Sequence, residues 1–503
     1  MKKAVYLSIA ALVMTVVASH PYWVGGEIEA QFRAQTTALQ QQLVVQPGIT
    51  LTLDHYQRGY LGSIAETTFV LAPQAVMNTT ADSPSLPLYF QQPLTVTLRH
   101  RISHGPWIDG VFNRNIAAKI VTTLVIDNPG RQSVLRFYFP AQPAFEAVTQ
   151  IEWEGRVTSR GGMPVYAGRD HSGQYDLEWG GFHFEINGDW LALHSEGSFK
   201  GPRFELSNEL LGVTLGNFEG NYNSQLSPQG FSLGKGELSV GLVKMRGVAG
   251  VKGRDQQVSI SDLKFLYDAQ QQGVLIDVKQ QAGFRLLHVN NVSYTKGVIR
   301  VELNNLDAVA LQSLQQHHES LLHTQAERGT VDSTQVQRFL IQGLQKVLPD
   351  LLRQSPELHI SRAEVVTADG LVSAQLRIAV DSDASALSFV EMQTNPTVLL
   401  PYLQVEIDLK LPATIIEQQA RTVVREKIVA QLQESEQTMT PQELSQQTRR
   451  AAEQMLNQFE IQNILRRQQG HYTAELFYDD GRIFLNGVPA DNLLNMLPPL
   501  KSS

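Results

Sequence analysis

Three features predict an α+β fold, mostly antiparallel β. Apolar residues alternate along most of the chain, turn signals recur about every ten residues, and helical periodicity is confined to the ends and the last two fifths. The expected architecture is an extended, curved β-sheet body with helices in the C-terminal half and one N-terminal membrane-anchor helix. Each element follows from its residues.

Met1-Lys2-Lys3 gives a positive start, and the uncharged run from Ala4 to Ser19 continues past His20 to Val24. A helix from Ala4 to Val24 would reach about 31 Å at roughly 1.5 Å per residue, enough for a roughly 30 Å hydrocarbon core. Tyr22 and Trp23 carry rings that suit a membrane interface, and Lys2 and Lys3 would stay in the cytoplasm. Residues 1–24 are therefore expected to anchor the chain in the bacterial inner membrane with its body in the periplasm. The alternative is a cleaved signal peptide, since Val16-Val17-Ala18 and Val17-Ala18-Ser19 offer small residues at the right offsets. Residues 25–46 read as an amphipathic stalk helix with Ile28 and Phe32 on the docking face.

The next expected region, 47–305, is an antiparallel β body. Ile49, Leu51 and Leu53 alternate, as do Leu94, Val96 and Leu98, and Phe182, Phe184 and Ile186 precede a predicted turn at Asn187-Gly188. Further short strands are expected from 204 to 303, with breaks at Gly, Asn, Asp and Ser. Residues 306–503 form the expected mixed helix and strand half. Helical periodicity covers 306–322 and 336–348, Pro412 opens another helix, and Thr440-Pro441-Gln442-Glu443 is a capping box introducing a helix to about Gln468. A hairpin at Asp480-Gly481, a turn at Asn486-Gly487 and a short helix around 493–497 close the chain.

Composition narrows the function. Lys and Arg number 41 against 49 Asp and Glu, a net charge of −8 that disfavours nucleic acid. There is no cysteine, so thiolate chemistry, Fe–S clusters, Cys-ligated zinc and disulfides are excluded. His317, His318, Glu319 and His323 resemble a zinc motif, but His318 and His323 diverge by roughly 140° around a helix, the wrong spacing for one ion. Gly247, Gly250 and Gly253 match no phosphate-binding pattern and read as turns and a bulge, and Asp381-Ser382-Asp383 lacks the rest of a calcium loop. No catalytic residue, metal or cofactor is assigned, and a non-enzymatic protein is expected.

Two clusters stand out as binding candidates. Tyr56, Arg58, Gly59 and Ser63 end the first strand, where Arg58 offers a planar donor fork and Gly59 can take a positive φ. His104, Gly105 and Pro106 hold an imidazole at a strand end. Taken with Tyr22-Trp23-x-Gly25, Glu27-Ile28-Glu29, Thr122 to Val125, Tyr478 to Gly481 and Ile483 to Gly487, these motifs resemble in order the YdgA/YihF family of bacterial inner-membrane or periplasmic proteins, a domain of unknown function. The resemblance implies a compartment and a domain type but no reaction. The favoured expectation is a cell-envelope protein holding lipid or an amphipathic partner in an apolar groove. A scaffold acting through envelope-protein contacts is the alternative, and a periplasmic hydrolase built around His104 and Arg58 is a third.

Overall fold

The computed structural model describes residues 21–40, 43, 49–71, 94–108, 111–125, 137–140, 143–170, 173–191, 193–209, 211–248, 255–290, 292–317, 333–434 and 439–490. Its strands are antiparallel throughout, and its longer helices lie mainly in the C-terminal half. The chain forms two compact units, residues 1–257 with 315–340, and residues 258–314 with 341–503.

The first unit opens with helix α1 (21–40). Its sheet is a meander of β1 (Ile49–Arg58), β2 (Gly62–Leu71), β3 (Leu94–His104), β6 (Ile116–Val125), β7 (Glu146–Glu152) and β8 (Arg156–Met163). Between β3 and β6 projects a small hairpin of β4 (Trp107–Ile108) and β5 (Val111–Phe112). The sheet continues through β11 (Phe182–Asp189), β12 (His194–Ser207), β13 (Leu211–Leu226) and β14 (Ser232–Val248). Strands β9 (Tyr166–Arg169) and β10 (Asp176–Trp179) add to the far end of β12. The buried cluster of Ile28, Ala65, Ile102, Ala118, Ile120 and Ile151 lies where α1 packs on β2, β3, β6 and β7. Burial along α1 falls on Pro21, Gly25, Ile28 and Thr36, the spacing of one helical face.

In the second unit β15 (Asp255–Gln272), β16 (Leu275–Val289), β17 (Val292–Asp307), β18 (Glu357–Thr367), β19 (Gly370–Val380), β20 (Leu403–Pro412) and β22 (His471–Asp479) pair in sequence. The short strands β21 (Arg466–Gln468) and β23 (Arg482–Leu485) share the other side of β22, and β24 (Val488–Pro489) follows β23. Helix α2 (308–317) follows β17 and belongs to this unit as far as Leu314, α3 (Ser333–Arg353) belongs to it from Ile341, and α4 (Phe389–Thr394) precedes β20. Helices α5 (Ala413–Glu434) and α6 (Pro441–Ile461) bury Ala420, Val424, Ile428, Ala452 and Leu456 with Tyr472 of β22. The Thr440 hydroxyl and Glu443 carboxylate form the full capping box of α6.

Several expectations need correction. The single-pass anchor is not supported: among the described residues no helix is long and apolar enough to cross a membrane, and residues 1–20 lie outside them. The described part of that segment, Pro21 to Val24, is the first described turn of α1, with Pro21 buried on the sheet and Tyr22 held by Arg58. Asn187 and Gly188 are not a turn but lie inside β11, paired to β8 and β12. The reversal falls just after them, where the Asp189 carboxylate accepts from the backbone N–H groups of Leu193 and His194. Helix α6 stops at Ile461, not near Gln468, because Asn463 takes a left-handed φ of 58° and the Asn463 and Ile464 N–H groups bond back to Glu460 and Phe459. The expected helix at 493–497, and His318, Glu319 and His323, lie outside the described residues.

Candidate functional site

The two motif clusters meet at one place, the first turns of α1. Strands alternate faces, so His100, Ile102 and His104 of β3 all point toward α1. His104 is fully buried. Its Nδ1 lies 3.0 Å from the Pro21 carbonyl oxygen, which can only accept, so Nδ1 carries the proton and Nε2 accepts from the Ser63 hydroxyl at 3.2 Å. Burial, opposed by the Pro21 bond and aided by Arg58, holds the imidazole below its ordinary pKa. His100 sits between the Thr67 and Thr122 hydroxyls, each at 2.9 Å, with Phe32 edge-on, and burial lowers its pKa to about 4.

Arg58 secures the outer side of the same turn. Its Nη2 donates to the Tyr22 hydroxyl at 2.9 Å, its guanidinium lies 4.5 Å from the Tyr22 ring centre, and Nη1 reaches Glu29 at 3.5 Å. Gly25 is required by contact, since a Cβ there would stand 2.5 Å from His104 Cε1. Gly105, at φ 87°, packs against Pro21, and the Pro106 carbonyl accepts from the Asn113 N–H at 2.7 Å. Gly59 serves the turn by close approach, not by a positive φ: a Cβ would lie 2.5 Å from the Gly62 carbonyl. Tyr56 packs against Phe32, and burial raises its phenol pKa, an effect the Ser63 hydroxyl partly offsets.

Ser63, His104 and the Pro21 carbonyl have the order of nucleophile, base and orienting group. Yet Ser63 and His104 are sealed beneath α1, and the orienting carbonyl belongs to the helix that covers them. What the cluster does is lock α1 onto the sheet. The structure joins all seven candidate residues in this lock or its adjoining turns, together with His100, Tyr22 and Gly25. Among the described residues no group of three or more His, Asp or Glu side chains could hold a metal ion.

A second feature lies on the part of the first unit's sheet beyond α1. Phe145, Phe184, Phe182, Phe218, Trp179 and Phe204 form a continuous chain of rings with centroid separations of 6.1 to 6.4 Å, and Phe199 flanks Phe182 at 6.2 Å. All seven are only half-buried. The rings lie over cross-strand glycines: Gly201 faces Phe218 and Gly220 faces Phe199, and Cβ atoms there would approach those rings to 1.8 and 2.4 Å. The opposite face of the same strands is charged, with Arg160 bonded to Glu185 at 2.7 Å and Lys200 near Glu219 at 3.8 Å. The second unit's sheet also has an apolar and a charged face, with Phe265 opposite Ala282 and Ala282 opposite Ile299 on one, while Lys279 and Glu302 pair at 3.7 Å on the other.

Comparison with known proteins matches residues 1–491 to the family model DUF945, described as a bacterial protein of unknown function. No curated protein and no solved structure matches.

Proposed function

We propose, from the premise that the chain belongs to the bacterial family DUF945, that it is a non-catalytic binding protein whose aromatic sheet face holds a lipid acyl chain. The observation that carries this reading is the unbroken row of half-buried rings from Phe145 to Trp179 on an otherwise amphipathic sheet. From β7 to β13 the row crosses four strand spacings, about 19 Å at roughly 4.8 Å each. One leaflet of a bilayer is roughly 15 Å deep, so an acyl chain fits along it. Each methylene buried there contributes about 0.8 kcal/mol, which makes a long chain a sufficient ligand without a polar hook. The interior backbone of the sheet is already paired, so side chains and not strand addition supply the contact.

The order of the motifs around Tyr56, His104 and Tyr478 supports placing the chain in the YdgA/YihF group of that family. The test of function is direct. Protein purified without detergent, extracted with organic solvent and examined by mass spectrometry is expected to yield acyl lipid in near-stoichiometric amount. Phe182→Asp with Phe218→Asp should lose it while keeping the wild-type circular dichroism. Absence of lipid, together with no displaceable binding of a fluorescent fatty acid, would reject the reading.

A further inference from the structure

Around the start of α1 three exposed segments come together. The Arg58 side chain ties Tyr22 to the end of β1, the His104 N–H bonds the Leu61 carbonyl at 3.0 Å, and Gly105 packs on Pro21 just before the β4–β5 hairpin. These contacts gather Trp23, Tyr60, Leu61, Trp107, Val111 and Phe112 at one end of the first unit. Every one of them is substantially exposed, from 44% for Leu61 to 73% for Trp23. Trp107 and Phe112 already meet edge to face at 5.4 Å, which stiffens the hairpin that carries them.

Exposed single apolar residues need no explanation, but six gathered on adjoining turns do. The chemistry of the group is specific. Two Trp and a Tyr present an apolar body with a polar tip, the side chains that favour the boundary between headgroups and acyl chains. In the sequence, the uncharged run Ala4 to Ser19 precedes Pro21 by two residues. A folded protein partner would fill pockets between such side chains. Here Trp23 stands near the start of α1, Tyr60 and Leu61 on the turn between β1 and β2, and the rest on a hairpin of two-residue strands, a form suited to shallow insertion.

We infer that this end of the first unit seats in the interfacial layer of a phospholipid bilayer, to a depth of about 5–10 Å, as a peripheral contact that needs no spanning helix. The inference is independent of the acyl-chain reading, because it uses other residues.

The experiment uses the full chain with phosphatidylcholine vesicles carrying bromine either near the headgroup or deep in the acyl chain, reading quenching of Trp emission. Wild-type protein is expected to be quenched more by the shallow bromine than by the deep one. Trp107→Phe should remove a clear share of that quenching, and Val111→Ser with Phe112→Ser should weaken vesicle partitioning roughly tenfold. All three side chains are exposed, so these variants should keep the wild-type melting curve. Quenching that is unchanged in Trp107→Phe overturns the inference. So does quenching that disappears only in Trp179→Phe, which would instead report lipid on the sheet face.

Discussion

His100 offers a stability test with a calculable size. Its ring is 8% exposed, touched by Thr67, Thr122 and Phe32, none of which carries charge. Burial lowers its pKa to about 4 against 6.5 for an unperturbed imidazole. The unfolded chain therefore binds a proton more readily than the folded one as pH falls from about 6.5 to about 4. Neutral His100 costs nothing above that window. Within it the folded state loses ground at up to about 1.4 kcal/mol per pH unit, reaching about 2 kcal/mol at pH 5 and about 3 kcal/mol below pH 4. Carboxylates titrate in the same range, so the comparison is between wild type and His100→Gln. Urea midpoints by circular dichroism at pH 7.5, 6, 5 and 4.5 should converge as pH falls, the variant losing about 2 kcal/mol less by pH 5. Parallel curves for the two proteins would refute the burial argument.

Gly25 and Gly26 should separate in the same assay. Gly25→Ala drives a Cβ into the buried His104 ring and should cost about 1–3 kcal/mol despite better helix propensity. Gly26→Ala meets only the movable end of Arg58 at 3.0 Å and should be close to neutral. The Asn486 side chain is fully buried, and Asn486→Ala removes an acceptor for the Glu475 N–H and a donor to the Asn463 and Ile464 carbonyls, so the urea midpoint should report about 2–4 kcal/mol lost. Gly201→Val places a side chain where the Phe218 ring lies, so fatty-acid binding should fall with that ring displaced, while Gly212→Ala, whose Cβ would meet only the Arg246 side chain at 3.8 Å, should leave binding unchanged.

Alternation made the strands legible because one face of the sheet is apolar and the other charged, as at Phe182, Phe184 and Ile186. Their lengths were less legible. Strands β12 to β17 run 14 to 18 residues, and glycines such as Gly201 and Gly220 lie inside them beneath cross-strand rings. A ring covering a glycine is a long-range pairing that local sequence does not show. The Asp480-Gly481 and Asn486-Gly487 pairs, in contrast, stand at left-handed φ in two-residue turns. Asn187-Gly188 carries the same signal without that conformation, because the Asp189 side chain organises the reversal one residue later.

The candidate residues were visible as unusual chemistry at strand ends, but their role depended on a partner distant in sequence. Tyr22 suited a membrane interface when read alone, and the structure assigns its ring and hydroxyl to Arg58 instead. His100 went unmarked, although its place two residues before Ile102 and four before His104 was the signal that both imidazoles share the inward face.

The most direct test of the acyl-chain assignment is the mass of the intact protein sprayed under native conditions after detergent-free purification. The wild-type protein is expected to give a species heavier than the polypeptide by one acyl lipid, lost in the Phe182→Asp, Phe218→Asp double variant. A bare polypeptide mass from wild-type protein that also fails to take up added fatty acid would contradict it.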